Sequence, residues 1–276
     1  MKKIKITKMQ GCGNDFVVTD RDEYLKTGLS LSEFAKKICN RNFGAGADGL
    51  IIPKQGVEGA DLSWDFYNSD GTTAQMCGNG MRCFARYVTD KGLINKKIFS
   101  VKTGAGIIKP EVLDGNRVKV NMSAPVLEPE KVPCKLRKGD KIKVLDKEFI
   151  INPVSMGNPH CVIFIEGDVY EAAKKYGPEI EKHEAFPEKT NVEFIKVLSA
   201  DETDFCVYER GCGITLACGT GACASVVAGV NNGLLNNIVK VNLLGGSLTV
   251  EWRDKKDVFL TGPAEYVFEA DYILDN

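Results

Sequence analysis

A cysteine followed by Gly-x-Gly occurs twice in this chain of 276 residues. One copy begins at Cys77 and the other at Cys218, and each leads into a run that predicts a helix, over 81–89 and 222–230. A thiol at a helix start meets unpaired backbone N–H groups and the positive end of the helix dipole. Such surroundings favour the thiolate and lower a cysteine pKa from about 8.5 to roughly 3.5–7.5. We therefore expect thiol chemistry at two places.

Other landmarks recur with nearly the same offset, so the duplication extends through the chain. A repeat this long predicts two homologous domains, because solenoid repeats are only about 20–50 residues long. We predict a first domain of residues 1–122 that also takes up a last strand, 264–276, and a second domain of residues 123–263. The proline-rich segment 123–133 is the candidate linker. The repeated landmarks are the Gly-Asn pairs at 13–14 and 157–158, the acidic-aromatic segments at 65–71 and 204–211, the two Cys-Gly motifs, and the turns at 103–106 and 244–247.

Each half alternates short strands with two helices, which predicts a mixed α/β class. Ser32 is predicted to cap a helix through Ile38, with Glu33 in its first turn. The other predicted helices are 81–89, 169–176 and 222–230. The predicted strands are 3–7, 16–19, 50–53, 62–67, 98–102, 106–112, 117–121, 161–165, 192–197, 204–208, 239–243, 247–252, 258–261 and 266–273.

The balance of 36 basic and 37 acidic residues gives no basic field for nucleic acid and no polybasic segment for a membrane surface. No apolar run approaches the roughly 20 residues that span a bilayer. The N-terminus begins with charged residues but lacks the apolar core of a signal peptide. We expect a cytoplasmic, soluble protein with no nucleic-acid or membrane partner.

The ten cysteines do not predict a disulfide scaffold, because that interpretation needs a secretory context. Metal binding is not predicted either, since the chain lacks a C-x-x-C pair and has only two histidines, His160 and His183. Most unpaired cysteines behave as small buried apolar residues. Cys77 and Cys218 differ from that tendency because the same local sequence surrounds both.

Two equivalent thiols suggest an acid–base pair that acts on one carbon from opposite faces. One thiolate takes a proton while the opposing thiol supplies one, and the stereocentre is inverted. The N–H groups after each cysteine would hold a carboxylate and stabilise the charge that spreads into it; they belong to Gly78, Asn79, Gly219 and Thr220. A single nucleophile with an adjacent base and a disulfide between the two cysteines remain alternatives.

Several polar residues have both a structural and a functional interpretation. Residues 44–49 match a dinucleotide fingerprint as a string, but they follow a helix and precede a strand, so we interpret them as a turn. Four asparagines beside predicted turns suit either turn geometry or substrate binding: Asn14, Asn68, Asn158 and Asn191. Arg210, next to Glu209, suits a surface pair or bidentate carboxylate binding. His160 is either a core residue or a group that tunes a thiol.

Taken together, these motifs resemble the diaminopimelate epimerases over essentially the whole chain. The motifs that carry the resemblance are Gly13-Asn14-Asp15-Phe16, Asn68-Ser69-Asp70-Gly71, Cys77-Gly78-Asn79-Gly80-x-Arg82-Cys83, Met156-Gly157-Asn158-Pro159-His160-Cys161, Glu209-Arg210-Gly211 and Leu216-Ala217-Cys218-Gly219-Thr220-Gly221. The resemblance implies an α/β (α+β) fold of two pseudo-symmetric domains, each a curled, mixed sheet around a central helix, with the active site in the cleft between them. It also implies a homodimer that needs no cofactor and no metal.

The resemblance further implies a function: interconversion of LL- and meso-diaminopimelate in the synthesis of lysine and of peptidoglycan precursors. Cys77 and Cys218 would be the two acid–base thiols, and His160 and Glu209 would adjust their pKa values. The carboxylate at the reacting carbon would lie on Gly78, Asn79, Gly219 and Thr220. The rest of this amino-acid substrate would contact Asn14, Asn68, Asn158, Asn191, Glu209 and Arg210.

Three residues depart from the family pattern. Gly49 stands where many members have a glutamine, and Thr73 and Ile214 stand where a glutamate is frequent. Two other functions stay open beside the epimerase: a racemase for another amino acid, and a redox or binding protein in which a Cys77–Cys218 disulfide cycles. A small substrate would have no distal carboxylate for Asn68, Asn191 and Arg210 to bind, which argues against the racemase.

Overall fold

The structure is a computed structural model that describes residues 1–57, 59–73 and 76–275. The predicted domain ranges also include residues 58, 74, 75 and 276, which lie outside the described residues. Over the described ranges the chain forms nineteen strands and five α-helices. The helices are α1 (Arg21–Leu25), α2 (Leu31–Cys39), α3 (Gly78–Asp90), α4 (Val169–Glu181) and α5 (Gly219–Asn231).

The strands are named in chain order. The first ten are β1 (Lys2–Gly11), β2 (Asn14–Val18), β3 (Gly49–Gln55), β4 (Leu62–Asn68), β5 (Val101–Thr103), β6 (Gly106–Ile108), β7 (Glu111–Val112), β8 (Arg117–Asn121), β9 (Lys141–Val144) and β10 (Lys147–Ile150). The others are β11 (Asn152–Ser155), β12 (Pro159–Phe164), β13 (Asn191–Ser199), β14 (Glu202–Glu209), β15 (Gly213–Ile214), β16 (Ile238–Leu243), β17 (Gly246–Trp252), β18 (Val258–Pro263) and β19 (Glu265–Leu274).

The chain divides into two compact units. Unit 1 comprises Met1–Val120 and Gly262–Asn276, and unit 2 comprises Asn121–Thr261. The sheet of unit 1 has the strand order β19-β1-β2-β3-β4-β5-β6. Strand β1 pairs antiparallel with β19, the last strand of the chain, while β2 and β3 run parallel. A parallel pair needs a long crossover, and the segment that contains α2 provides it.

The central strands of unit 1 are buried on both faces, so apolar residues follow one another without alternation. Val17 and Leu50 point toward α2 and pack in one core cluster with Phe34 and Ile38. Phe16 lies on the opposite face, next to the first turn of α3 at Gly80. Helix α3 is therefore held against the sheet by residues that alternate with those facing α2.

Unit 2 repeats this arrangement. Its strands follow the order β11-β12-β13-β14-β16-β17-β18, and β15 pairs with β14. Strands β12 and β13 are parallel and are connected through α4. Val192 and Phe194 of β13 pack with α4 in a second core cluster. The alternate residues Asn191 and Glu193 lie on the other face of the strand, and the carboxylate of Glu193 lies against Gly221 in the first turn of α5.

The same register recurs in the two units. Phe16 pairs with Gly49 between β2 and β3, and His160 pairs with Asn191 between β12 and β13. Phe16 and His160 are also the matching residues of the two Gly-Asn motifs. The sequence duplication is thus a duplication of strand pairing, which makes residues of one unit comparable with their counterparts in the other.

The predicted cap of α2 is wrong by two residues. Ser30, not Ser32, is the N-cap: its hydroxyl accepts from the backbone N–H of Glu33, and the Glu33 carboxylate accepts from the backbone N–H of Ser30. This reciprocal capping box needs a spacing of three residues, which Ser30 provides and Ser32 does not. The hydroxyl of Ser32 instead donates to the carbonyl of Gly71.

Other predicted elements differ at their ends or were missed. The predicted strand 106–112 is divided into β6 and β7, and Pro110 lies between them. Helix α4 extends past 176 to Glu181, and Pro178 lies within it. The predictions missed α1, β9, β10, β11 and β15. Among the described residues no helix is long and apolar enough to cross a membrane.

Candidate active site

The two cysteines occupy the same position in the two units. Cys77 is the N-cap of α3 and Cys218 is the N-cap of α5, each with extended backbone angles. The backbone N–H of Gly80 donates to Sγ of Cys77 at 3.4 Å, and that of Gly221 donates to Sγ of Cys218 at 3.4 Å. The sulfur thus takes the place of the side-chain oxygen that usually caps a helix. Each unit therefore holds a sulfur atom beside the N–H groups of a helix start.

In unit 1, Asn14 connects the cysteine with the next residues of α3. Its Oδ1 accepts from Nδ2 of Asn79 at 3.1 Å and lies 3.9 Å from Sγ of Cys77, which donates to it. Its Nδ2 donates to the carboxylate of Asp48 at 2.6 Å. Asp48 belongs to the glycine-rich segment 44–49 that we interpreted as a turn, and the segment does link α2 to β3. Two predicted site residues, Asn14 and Asn79, are thus brought together at Cys77.

Arg82, one helical turn after Cys77, is completely buried. Its guanidinium donates to Oδ1 of Asn79 at 2.8 Å and to the carbonyl of Pro263 at 2.9 Å. An ideal Cβ on Gly11 would lie 2.7 Å from the guanidinium, so the absence of a side chain there leaves room for Arg82. The arginine fixes the amide of Asn79 through a planar, charged donor.

Asn68 is engaged within its own turn, where its Nδ2 donates to the hydroxyl of Thr72 at 3.0 Å. It pairs in register with Gly49, which lies beside Asp48. A Cβ on Gly49 would lie 2.8 Å from the carbonyl oxygen of Tyr67, so the backbone packing of this chain accounts for glycine at this position. Thr73 forms a β-bridge with Tyr67.

In unit 2, a line of hydrogen bonds leads from a buried acid to Cys218. His160 is fully buried, with Nδ1 2.6 Å from Oε1 of Glu193 and Nε2 3.0 Å from Oδ1 of Asn158. Nδ2 of Asn158 donates to Oγ1 of Thr220 at 3.4 Å, and Oγ1 lies 3.5 Å from Sγ of Cys218. His160 is therefore a core histidine by burial, and it is also connected to a thiol.

Glu209 is the second buried acid near Cys218. Burial raises the pKa of its carboxyl, while hydrogen bonds from Thr215 and Cys218 act in the opposite direction. The hydroxyl of Thr215 donates directly to Oε1 of Glu209. Because Glu209 lies at the end of β14 and Cys218 at the start of α5, their proximity follows from the fold of unit 2.

The expectation of a lowered thiol pKa is wrong at Cys218. Burial raises the pKa of this thiol well above its ordinary value, and the negative charges of Glu209 and Glu193 add to the effect. Hydrogen bonds from Thr220 and from the N–H of Gly221 lower it but do not outweigh burial. The helix start was visible in the sequence, whereas the removal of water and the two carboxylates depend on the folded unit.

The remaining predicted residues of unit 2 form a separate group. Oδ1 of Asn191 accepts from the backbone N–H of Arg210 at 3.0 Å, and Nδ2 of Asn191 donates to the carbonyl of Pro159 at 2.8 Å. The guanidinium of Arg210 donates to the carbonyl of Glu188. Ile214, on β15, packs against the apolar cluster beneath α4, which accounts for an apolar residue at this position.

Three polar residues that support the cysteine sites were not predicted from the sequence: Asp48, Arg82 as a buried donor, and Glu193. Glu193 had a detectable signal, since it interrupts the apolar run of β13 and shares a face with Asn191. A charged residue in such a strand is almost never fully buried unless it is paired. Within the described ranges no three His, Cys, Asp or Glu side chains are grouped so as to hold a metal ion.

Two comparisons of sequence identify the relatives of this chain. It matches the family described as diaminopimelate epimerase over residues 6–128 and 153–267. The diaminopimelate epimerase of Halothermothrix orenii is 46% identical over 284 residues, which cover 99% of this chain and 99% of that protein. That of Carboxydothermus hydrogenoformans is 48% identical over 276 residues, which cover 98% of this chain and 100% of that protein.

Comparison of structures supports the fold. A crystal structure of a Bacillus anthracis phenazine biosynthesis protein of the PhzF family has a TM-score of 0.70 and 16% sequence identity, and the match covers 99% of this chain and 100% of that one. At this identity the likeness concerns the fold alone. Together with the family match, it confirms the predicted α/β (α+β) class.

Proposed function

The chain belongs to the diaminopimelate epimerase family and is an amino-acid epimerase, and we propose that Cys77 and Cys218 are the two bases of its reaction. It interconverts the LL and meso isomers of diaminopimelate, a small-molecule substrate, in lysine biosynthesis. The observation that carries the two-base proposal is the matching geometry of the cysteines, both of which are helix N-caps with Sγ 3.4 Å from a glycine N–H.

The reaction requires the two sulfurs to act from opposite sides of the α-carbon. The thiolate on one side takes the α-proton, so the C–H bond breaks and an S–H bond forms. The electron pair left on the carbon spreads into the substrate carboxylate. The thiol on the other side then gives its proton to the opposite face of the carbon and becomes the thiolate. The configuration at the α-carbon is inverted, and at the end of the step the two sulfurs have exchanged their protonation states.

The helix starts supply the charge stabilisation that this step needs. We propose that the N–H groups of Gly78, Asn79, Gly219 and Thr220 hold the carboxylate at the reacting carbon, where the developing negative charge meets the positive ends of α3 and α5. Asn14 and Asn158 are fixed by Asp48 and His160, so they offer preset polar contacts. The other proposed substrate contacts are Asn68, Asn191, Glu209 and Arg210.

His160 and Glu209 would adjust the proton affinity of the thiols. The negative charge of Glu209 raises the pKa of Cys218. The raised pKa would favour the protonated form of this sulfur between turnovers. His160 would act through Asn158 and Thr220. We also propose that the protein is a homodimer in the cytoplasm and that it requires no cofactor.

The proposal is tested by following LL-diaminopimelate in deuterated water under reducing conditions. Loss of the α-proton signal by NMR should accompany formation of the meso isomer. Cys77→Ala and Cys218→Ala should each lower kcat by at least about 10²–10⁴-fold, the size of a lost acid–base group. Full activity in either variant would exclude the two-thiol mechanism.

Matched controls come from the same helices. Cys83 and Cys223 lie one to two turns further along α3 and α5 and are buried. Cys83→Ala and Cys223→Ala should keep kcat, because neither is a helix N-cap. A panel of other amino acids separates the epimerase from a racemase of different specificity. Loss of activity on oxidation and its recovery with reductant would indicate that the thiols take part in the reaction. Activity in the oxidised protein alone would support the disulfide hypothesis.

A further inference from the structure

Glu193 is a fully buried carboxylate to which the proposed mechanism assigns no role. Its Oε1 lies 2.6 Å from Nδ1 of His160, and in the described part of the chain its Oε2 is buried without a hydrogen-bond partner. Burying a carboxylate with one oxygen unsatisfied is costly, and burial accordingly raises the pKa of Glu193. The contact with His160 accounts for a buried carboxylate at this position.

The amide of Asn158 determines which nitrogen of His160 carries a proton. Nδ2 of Asn158 donates to Thr220, so its Oδ1 is the atom that faces Nε2 of His160. An oxygen acceptor requires a donor, and Nε2 must therefore be protonated. Nδ1 then has two possibilities, and both need a carboxyl group: it donates to a carboxylate as part of an imidazolium, or it accepts from a protonated acid.

In either form the pair of His160 and Glu193 shares one proton and has no net charge. The line of donors then has one direction: Nε2 of His160 to Asn158, Asn158 to Thr220. Because Oγ1 of Thr220 accepts from Asn158, its own hydrogen is available to Sγ of Cys218 at 3.5 Å. A hydrogen bond donated to sulfur stabilises the thiolate over the thiol, against the effect of burial on this cysteine.

The duplicated fold provides an internal comparison. By strand register, Phe16 and Ile51 of unit 1 correspond to His160 and Glu193 of unit 2. Both are apolar and buried, yet α3 begins on its cysteine in the same way as α5. The fold therefore does not require a buried ion pair beneath the helix start. Hydrogen bonds connect the acid and the histidine to Cys218.

We propose that Glu193 is a positioning residue for the epimerase reaction: it fixes the Nε2-protonated form of His160 and thereby aligns Asn158, Thr220 and Sγ of Cys218. The kinetic effect expected of Glu193 rests on the proposed function. The protonation of His160 at Nε2 does not depend on that function. This alignment makes the two cysteines unequal, since a line of donors from His160 leads to Sγ of Cys218, whereas Sγ of Cys77 donates to Oδ1 of Asn14.

The experiment uses the two histidines of the chain. Histidine-selective ¹⁵N labelling gives two imidazoles, and His183→Gln removes the signals of the other one, which assigns His160. In the wild-type protein His160 should carry its proton on Nε2 and show a strongly deshielded proton between Nδ1 and Glu193. A bare Nε2 with a proton on Nδ1 alone would overturn the inference, whatever the enzymatic activity.

Two variants of Glu193 then distinguish the effect of fixing the tautomer of His160 from the effect of the proton shared with the carboxylate. Glu193→Gln offers an amide that donates to Nδ1, so the Nε2-protonated form should persist while the deshielded proton is lost. Glu193→Leu removes every partner of Nδ1 and should abolish the fixed tautomer. We expect kcat to fall by roughly 10–100-fold in the leucine variant, the size seen when the outer partner of a ligating histidine is removed, with partial recovery in the glutamine variant.

Glu181→Gln is the matched control, because it neutralises another buried carboxylate of unit 2 and keeps an acceptor for the N–H of Gly211. It should leave kcat and the His160 spectrum unchanged. The inference would be overturned if the leucine variant kept both the wild-type kcat and the wild-type His160 spectrum. Should the leucine variant not fold, the same result in the glutamine variant would overturn it. A wild-type protein that shows the expected spectrum but does not act on diaminopimelate would instead contradict the proposed function.

Discussion

The hydroxyl of Thr215 donates a hydrogen bond to Oε1 of Glu209, and this bond opposes the effect of burial on the acid. Burial favours the neutral carboxyl, whereas a donor favours the carboxylate. Thr215 lies between β15 and the start of α5, so a residue outside the cysteine motif influences the charge beside Cys218.

Thr215→Val should therefore raise the pKa of Glu209 further. If the carboxylate form of Glu209 supports turnover, the acid limb of the kcat/KM profile moves to higher pH, because less acid then suffices to protonate the group. The measurement is a pH profile of wild type and variant. Thr203→Val is the control: Oγ1 of Thr203 is buried and, in the described ranges, has no hydrogen-bond partner, so this variant should keep the wild-type profile. An unchanged pH profile in Thr215→Val would show that the ionisation of Glu209 does not control kcat/KM.

The glycines at the third position of the two helices give a matched pair of substitutions. A Cβ on Gly221 would lie 2.8 Å from Oε1 of Glu193 and 3.2 Å from Sγ of Cys218, whereas a Cβ on Gly80 would lie 3.2 Å from Cε2 of Phe66. Gly221→Ala should cost about 1–3 kcal/mol of stability by overpacking and reduce kcat. Gly80→Ala should cost less, because its nearest contact is a ring carbon at 3.2 Å rather than a carboxylate oxygen at 2.8 Å. Urea unfolding and kcat of both variants check the order, and an equal loss in the two would contradict it.

Arg82 should contribute more to the stability of unit 1 than Arg86, the other arginine of α3. Arg82→Met leaves Oδ1 of Asn79 and the carbonyl of Pro263 without this donor, at about 1–3 kcal/mol for each buried acceptor left unsatisfied. Arg82→Lys should lie between the wild type and the methionine variant, since an ammonium cannot reproduce the planar fork. Arg86→Met is the control on the same helix, because Arg86 also donates to a backbone carbonyl but is only partly buried. Urea unfolding of the three variants gives the ranking, and an Arg86→Met variant as unstable as Arg82→Met would refute it.

The local parts of the cysteine sites were predictable from the sequence. Helices α3 and α5 follow from the apolar runs after the glycines, although they begin at Gly78 and Gly219, three residues before the predicted starts. Strands such as β4 and β16 follow from short apolar runs between turns. These features depend on residues that are neighbours in the chain. The fold class follows from the same elements and from their repetition.

The line from Glu193 to Cys218 was not predictable in this way. His160 and Glu193 are brought together by the parallel register of β12 and β13, in which His160 pairs with Asn191, and a whole helix separates the two strands in sequence. The pKa of Cys218 was predicted with the wrong sign for the same reason. The dipole of α5 is a local property, whereas burial and the charges of Glu193 and Glu209 arise only when distant strands meet.

The buried thiols should make the protein less stable in alkaline solution. Burial raises the pKa of Cys39 and of Cys83 to about 12, whereas an unfolded thiol ionises near pH 8.5. Below about pH 8.5 both states hold the proton, and the thiols give no pH dependence. Above it the unfolded state loses protons first, so the free energy of unfolding falls by up to about 1.4 kcal/mol per pH unit for each such thiol until the folded pKa is reached. Urea unfolding at about pH 7.5 and about pH 10 should show this loss, and Cys39→Ala should reduce it. Thr203→Val, which removes no thiol, should lose as much stability as the wild type over the same interval; a Cys39→Ala variant with the full wild-type loss would show that this thiol is not the source.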